Sequence, residues 1–150
     1  MPEPWASRLE IEGDGTIFLD ERDLWPGGDF ITAHVIVATP YLEKNPEIVR
    51  AWLRAHVDIT QWEQLHPEEA IPLLNAEIEK LTGKKLPDLV LTRAWGRLRP
   101  TWDPLPESLR RSAVAAHAAG FLKREPRLEG IYALDLLNEV LREKSLPEVR

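Results

Sequence analysis

The stretch "WPGGDFITAHVIVATPYLEKNPEIVRAW", Trp25 to Trp52, decides how the whole chain is read. The double glycine after Pro26 breaks the chain. Ile31 to Thr39 then turns apolar and β-branched with little alternation (Ile31, Val35, Ile36, Val37), the pattern of a strand covered on both faces. Directly after it, Thr39 stands as a cap before Pro40-Tyr41-Leu42-Glu43. Asn45-Pro46-Glu47 supplies a second N-cap, a first-turn proline and an acid at the positive helix end. From Pro46 the spacing predicts a helix with Val49, Trp52, Leu53, His56 and Thr60 on one buried stripe. A sandwiched strand needs neighbours, and little sequence before Trp25 is able to provide them.

Working outward, a short helix is expected from Pro4 to Leu9, then a turn at Gly13-Asp14-Gly15 and a short strand at Thr16 to Leu19. Downstream everything reads helical. His66-Pro67-Glu68-Glu69 opens a helix that Gly83 closes as the residue just past its end, with Pro72 loosening its first turns. Pro87 opens another, to about Leu98, and Trp102-Asp103-Pro104-Leu105-Pro106 is a stiff extended connector. Residues 107–120 carry Leu109, Ala113, Ala116 and Gly120 on one small-residue face. A last helix carries Ile131, Leu134, Leu137, Val140 and Leu141. The expected fold class is an α/β fragment, mostly α-helical, with two or three short strands and about five to six helices. Two or three strands make no stable doubly wound sheet, so the arrangement looks incomplete.

Length and composition fit one soluble globular domain: 150 residues, 43% hydrophobic and 29% charged. No apolar run approaches the roughly 20 residues of a membrane span. The opening residues lack the basic start and apolar core of a secretory signal. The absence of cysteine excludes disulfides, thiolate metal sites and thiol nucleophiles. Residues 1–45 hold nine acids and three bases, a net of −6, while the remainder is neutral, which argues against a nucleic-acid-binding arm at the start.

Few chemical motifs stand out. His34, His56, His66 and His117 form no HxxxH or HExxH pair, no neighbouring acid completes a metal triad, and neither metal nor cofactor is expected. No GxSxG, GxxxxGK[ST] or GxGxxG occurs, which leaves hydrolase, P-loop and dinucleotide readings without support. Arg93, Arg97, Arg99, Arg110 and Arg111 lie near Trp95 and Trp102. Interspersed acids make this a solvated helix face rather than a nucleic-acid surface. Trp52 and His56 are expected in the core, Trp62, Trp95 and Trp102 against neighbouring helices, and Trp25 plugging its turn.

The stretches "EPWASRL" (3–9), "GTIFLDERDLWPGGDFITAHVIVATPYLEKNPEIVRAWLRAHVD" (15–58), "HPEEAI" (66–71) and "LEGIYALDLLNEVLREKSLPEV" (128–149) carry a resemblance. The chain resembles the C-terminal half of a periplasmic solute-binding protein of the aliphatic sulfonate, nitrate and taurine ABC-importer family. "EPW", "DLWP" and "ATPYLEKNPE" are its most specific signals. The resemblance implies a type II two-lobe fold, with residues 1–28 ending the second lobe, 29–45 crossing back as a hinge strand, and 46–150 forming the helical portion of the first lobe. It implies a periplasmic or extracytoplasmic location, a small anionic, sulfonate-like solute taken by lobe closure, ABC permease subunits as partners, and no enzymatic activity. Glu3, Trp5 and Thr32 are the substrate-binding candidates it carries over. Each has a plainer role open to it: a solvated terminal acid, a helix anchor and a strand threonine. The neighbours of the strand would then come from a missing N-terminal half. The alternative is a stand-alone helical interaction protein that dimerises with a second copy of the chain through its exposed strand. An enzyme related to binding-protein-like pyrimidine synthases finds no histidine–cysteine site here.

Overall fold

The computed structural model describes the backbone of all 150 residues and the side chains of all but Pro26. Seven α-helices succeed one another: α1 Trp5–Glu12, α2 Thr39–Lys44, α3 Pro46–Leu65, α4 Pro67–Thr82, α5 Asp88–Trp95, α6 Pro106–Ala118 and α7 Asp135–Glu143. Short 3-10 turns occupy Glu21–Leu24 and Pro26–Gly28. Prolines open α3, α4 and α6, where the missing N–H has no intrahelical acceptor in any case. Gly83 ends α4 at φ 77°, a left-handed conformation that lets its N–H reach Glu79 O at 2.7 Å. Helix α4 continues through Pro72.

No strand forms among the described residues, which corrects the expected α/β class with its two or three strands. Ile31 to Thr39 has the composition of a covered strand and no cover. Val35 is 58%, Ile36 90% and Val37 42% exposed, and Phe18 in the other expected strand is fully exposed. Backbone pairing stabilises a strand only when a neighbour accepts and donates. Here side chains tie the segment down instead. Ile31 N–H donates to Ser108 Oγ at 2.8 Å, and His34 Nε2 lies 3.0 Å from Pro104 O and 3.1 Å from Tyr132 Oη. A carbonyl can only accept, so the proton of that ring sits on Nε2.

Other local expectations shift as well. Ala38, not Thr39, is the N-cap of α2. The Asn45 amide donates back to Tyr41 O at 3.2 Å instead of capping α3. Trp52 is half exposed rather than on the buried stripe, stacked on His56 with ring centroids 5.3 Å apart. Ile131 lies outside α7 and is 54% exposed. Leu109, Ala113 and Ala116 do share the partly buried face of α6, and Trp25 stacks on Phe30 at 5.7 Å.

The chain divides into two compact units, Met1–Asp20 with Asp58–Thr101, and Glu21–Val57 with Trp102–Arg150. In the first, α5 packs against both α1 and α4. Its interior holds Ala70, Val90, Leu91 and Ala94 together with buried Ser7, Thr60 and Asn75. The Asn75 side chain clamps the returning chain: Nδ2 donates to Leu86 O at 2.9 Å, and Leu86 N–H donates to Oδ1 at 3.0 Å. In the second unit Val57, Leu137, Val140, Leu141 and Val149 form the core, flanked by Leu53, Trp102, Leu134 and Leu146. Arg50 to Glu139 at 2.6 Å and Arg54 to Glu143 at 2.7 Å join α3 to α7 at matching one-turn intervals beside this core. Asn138 repeats the clamp, with Nδ2 to Val149 O at 3.0 Å and Val149 N–H to Oδ1 at 2.9 Å.

Candidate functional site

Glu3, Ser7 and Glu10 stand at i, i+4 and i+7, one face at the start of the chain, and the fold turns that face towards Arg97 just past α5. Glu3 is only 8% exposed. Its Oε2 accepts the Ser7 N–H at 3.1 Å, capping α1, and its Oε1 accepts from Arg97 Nη1 at 3.1 Å. The same nitrogen lies 2.6 Å from Glu10 Oε2 and 3.3 Å from Ser7 Oγ. One guanidinium nitrogen thus meets two carboxylates and a hydroxyl.

The electrostatics follow. Burial alone pushes the Glu3 carboxyl up, but hydrogen bonds from Ser7 and Arg97 together outweigh it and hold the group below the ordinary carboxylate range. Glu10 is the main cause holding the Arg97 proton more tightly than usual; burial opposes this, and Glu3 adds to it. Two negative charges against one positive leave the cluster at a net −1.

Of the three residues the sequence singles out, Glu3 is therefore occupied inside the first unit, where it orients a neighbouring arginine. Trp5 is on another face of the same segment, half exposed, with the Arg8 guanidinium 5.7 Å from its ring centroid. Thr32 is exposed on the extended segment of the second unit. Ser7, Glu10 and Arg97 were not singled out as a site. The spacing of Glu3, Ser7 and Glu10 was legible as a shared face, but Arg97 joins them from 94 positions away, which no local pattern reveals.

Two further features were not anticipated. His66 Nδ1 lies 4.0 Å from Glu68 Oε1 and 3.8 Å from Glu69 Oε1 at the start of α4, so acids do accompany one histidine after all. All three side chains are largely exposed, and the carboxylates stand where a helix dipole favours them without any metal. In the second unit an open cleft of about 530 Å³ is lined by Trp25, Asp29, Asp103, Leu105, Ser108 and Arg111 among others. Leu105 holds φ 47° there, a costly conformation for a branched side chain. The five sequence-clustered arginines do not act together: Arg97 is in the carboxylate clamp, and Arg110 and Arg111 pair with Glu107 in the other unit.

Comparison with known proteins adds one match. No curated protein and no solved structure matches the chain. Residues 1–74, just under half of the chain, match the model of the NMT1-like family, which is related to sulfonate and nitrate binding proteins. The matched span takes in Glu3, Trp5, Glu10 and Thr32 and runs from α1 into α4, whereas Arg97 lies beyond it.

Proposed function

We propose that the chain is the C-terminal part of the solute-binding component of an ABC importer, taking a small anion such as an aliphatic sulfonate and presenting it to permease subunits. The observation that carries this reading is the match of residues 1–74 to a family related to anion-binding proteins. No chemistry is done on the solute: the work is binding, and selectivity comes from contacts made better in a closed state than in an open one. The family kinship favours an extracytoplasmic location. No helix is long and apolar enough to cross a membrane among the described residues.

The exposed surface supports a chain that works with a complementary polypeptide. Val35, Ile36 and Val37 are successive and all exposed, an apolar run that a partner polypeptide would cover.

Calorimetric titration with alkanesulfonates tests the reading. The chain alone is expected to bind no tighter than millimolar, and a preparation co-expressed with an N-terminal lobe of the same family is expected to bind far more tightly. Micromolar binding by the chain alone overturns the divided site. No binding of any alkanesulfonate by the assembled pair overturns the anion.

A further inference from the structure

We propose that the outer edge of the Arg97 guanidinium, its Nε and Nη2 hydrogens, is the contact this chain offers to the oxyanion head of the solute. The inference rests on the receptor reading above and names the residue that touches the ligand.

The argument starts from how unevenly Arg97 uses its five donors. Glu3 Oε1, Ser7 Oγ and Glu10 Oε2 all gather on Nη1. Among the described residues, Nε and Nη2 have no partner, yet neither is sealed from solvent: the side chain keeps 21% of its surface, and neither atom is buried without a hydrogen bond. Arg110 shows the alternative, with Nε and Nη2 both donating to Glu107. That parallel pair of N–H groups is the fork that fits two oxygens of a sulfonate or carboxylate. In Arg97 the fork is open and its back is anchored.

Anchoring matters energetically. A free arginine loses considerable rotamer freedom when it grips a ligand, whereas one already held by two carboxylates and a hydroxyl has little left to lose. The hydroxyl itself belongs to Ser7, which is completely buried. Glu3 and Glu10 thereby become positioning residues for Arg97. They also set a limit. With the cluster at net −1, the local field does not draw an anion from a distance, so recognition falls to the short-range fork. Weak, geometry-dependent binding by the isolated chain follows, in keeping with its being part of a site.

The Arg97 Nε–Hε group is directly visible by nuclear magnetic resonance, which gives a test that needs no variant. The ¹⁵N-labelled full chain is titrated with sodium ethanesulfonate, and with sodium chloride at matched ionic strength. The expected result is a saturable shift of the Arg97 Hε resonance with the sulfonate and none with chloride. Glu10→Gln brings the cluster from −1 to 0 and is expected to tighten sulfonate binding several-fold, which a purely structural role for Glu10 does not predict. Arg97→Lys keeps the charge, loses the fork, and is expected to weaken binding about tenfold or more. If that variant fails to fold, the wild-type and Glu10→Gln titrations still decide. A stationary Arg97 Hε with saturable shifts elsewhere overturns this contact and leaves the receptor reading standing. An equal shift with chloride marks a general ionic effect and overturns it too. No saturable shift anywhere overturns the contact, while the receptor reading is then judged by the assembled pair.

Discussion

In the first unit Arg97 stands between Glu3 and Glu10 beside buried Ser7, while in the second Val57, Val140 and Leu141 are sealed completely among other aliphatic side chains. Both units hold a returning chain with an asparagine that exchanges two hydrogen bonds with the backbone eleven residues on. The clamps are alike; the interiors are not. Hydrocarbon packing is non-directional and tolerates replacement by similar volumes, whereas a buried ion cluster fixes particular atoms at particular distances and tolerates little. The first unit adds buried Ser7, Thr60 and Asn75 to its aliphatic interior and carries the ion cluster at a partly exposed edge.

The largest effects separate the two interiors. Leu141→Ala removes a fully buried side chain from the hydrocarbon core and is expected to cost about 3 kcal/mol in urea unfolding, with residual amide protection lost first in the second unit. Arg97→Ala leaves two carboxylates facing each other, but residual exposure softens the penalty to about 2 kcal/mol. The comparison sharpens with the triple change Arg97→Met, Glu3→Gln, Glu10→Gln, which removes every charge and is expected to recover most of that loss. A triple variant no more stable than Arg97→Ala would show that the ions themselves hold the first unit together.

How much of this was readable beforehand differs between the units for a physical reason. Helix starts and stops are local. Pro46, His66-Pro67 and Gly83 sit where capping and proline chemistry place them, and Leu134, Leu137, Val140 and Leu141 gather on one face by spacing alone. The strand reading of Ile31 to Thr39 failed because composition reports what a segment is suited to, while a strand exists only with a partner. Trp52 was misplaced for a related reason: α3 is apolar on two sides, Leu53 and Val57 inward and Ile48 and Trp52 outward, and periodicity does not say which side is covered. At the candidate site Glu3 was legible as a residue of interest and Arg97 was visible only as one of several arginines, since their pairing spans 94 positions.

The asparagine clamps provide the control. Asn75→Ala and Asn138→Ala each strand one backbone N–H and one carbonyl, for an expected loss of about 1.5 kcal/mol apiece. Equal losses, measured by thermal unfolding, would show that the units differ in their interiors and not in how their loops are held. Asn75 also donates to Asp88 at 3.2 Å, so any inequality is expected to make Asn75 the costlier change.

The smallest effect is the response to acid, and it distinguishes the units by order. Burial holds the His56 imidazole in the second unit below its ordinary value of 6.5. The unfolded chain therefore takes up that proton first on acidification. This contribution is complete above pH 6.5 and is lost as pH falls below it, through the lowered folded value. Glu3 in the first unit is also held low, but against an ordinary value of 4.5, so its contribution survives down to that pH and is lost only below it. Glu63 runs the other way: burial raises its carboxyl, the protonated form suits the folded state, and stability from it falls as pH rises above 4.5. Amide exchange recorded at pH 7, 5.5 and 4 is thus expected to show the second unit loosening between the first two points, the first unit holding or tightening there, and losses in the first unit only towards pH 4. His56→Gln is expected to flatten the early change without altering the late one, and Glu3→Gln to do the reverse. A first unit that loosens before the second would mean that charge in its interior is a weakness and not a lock.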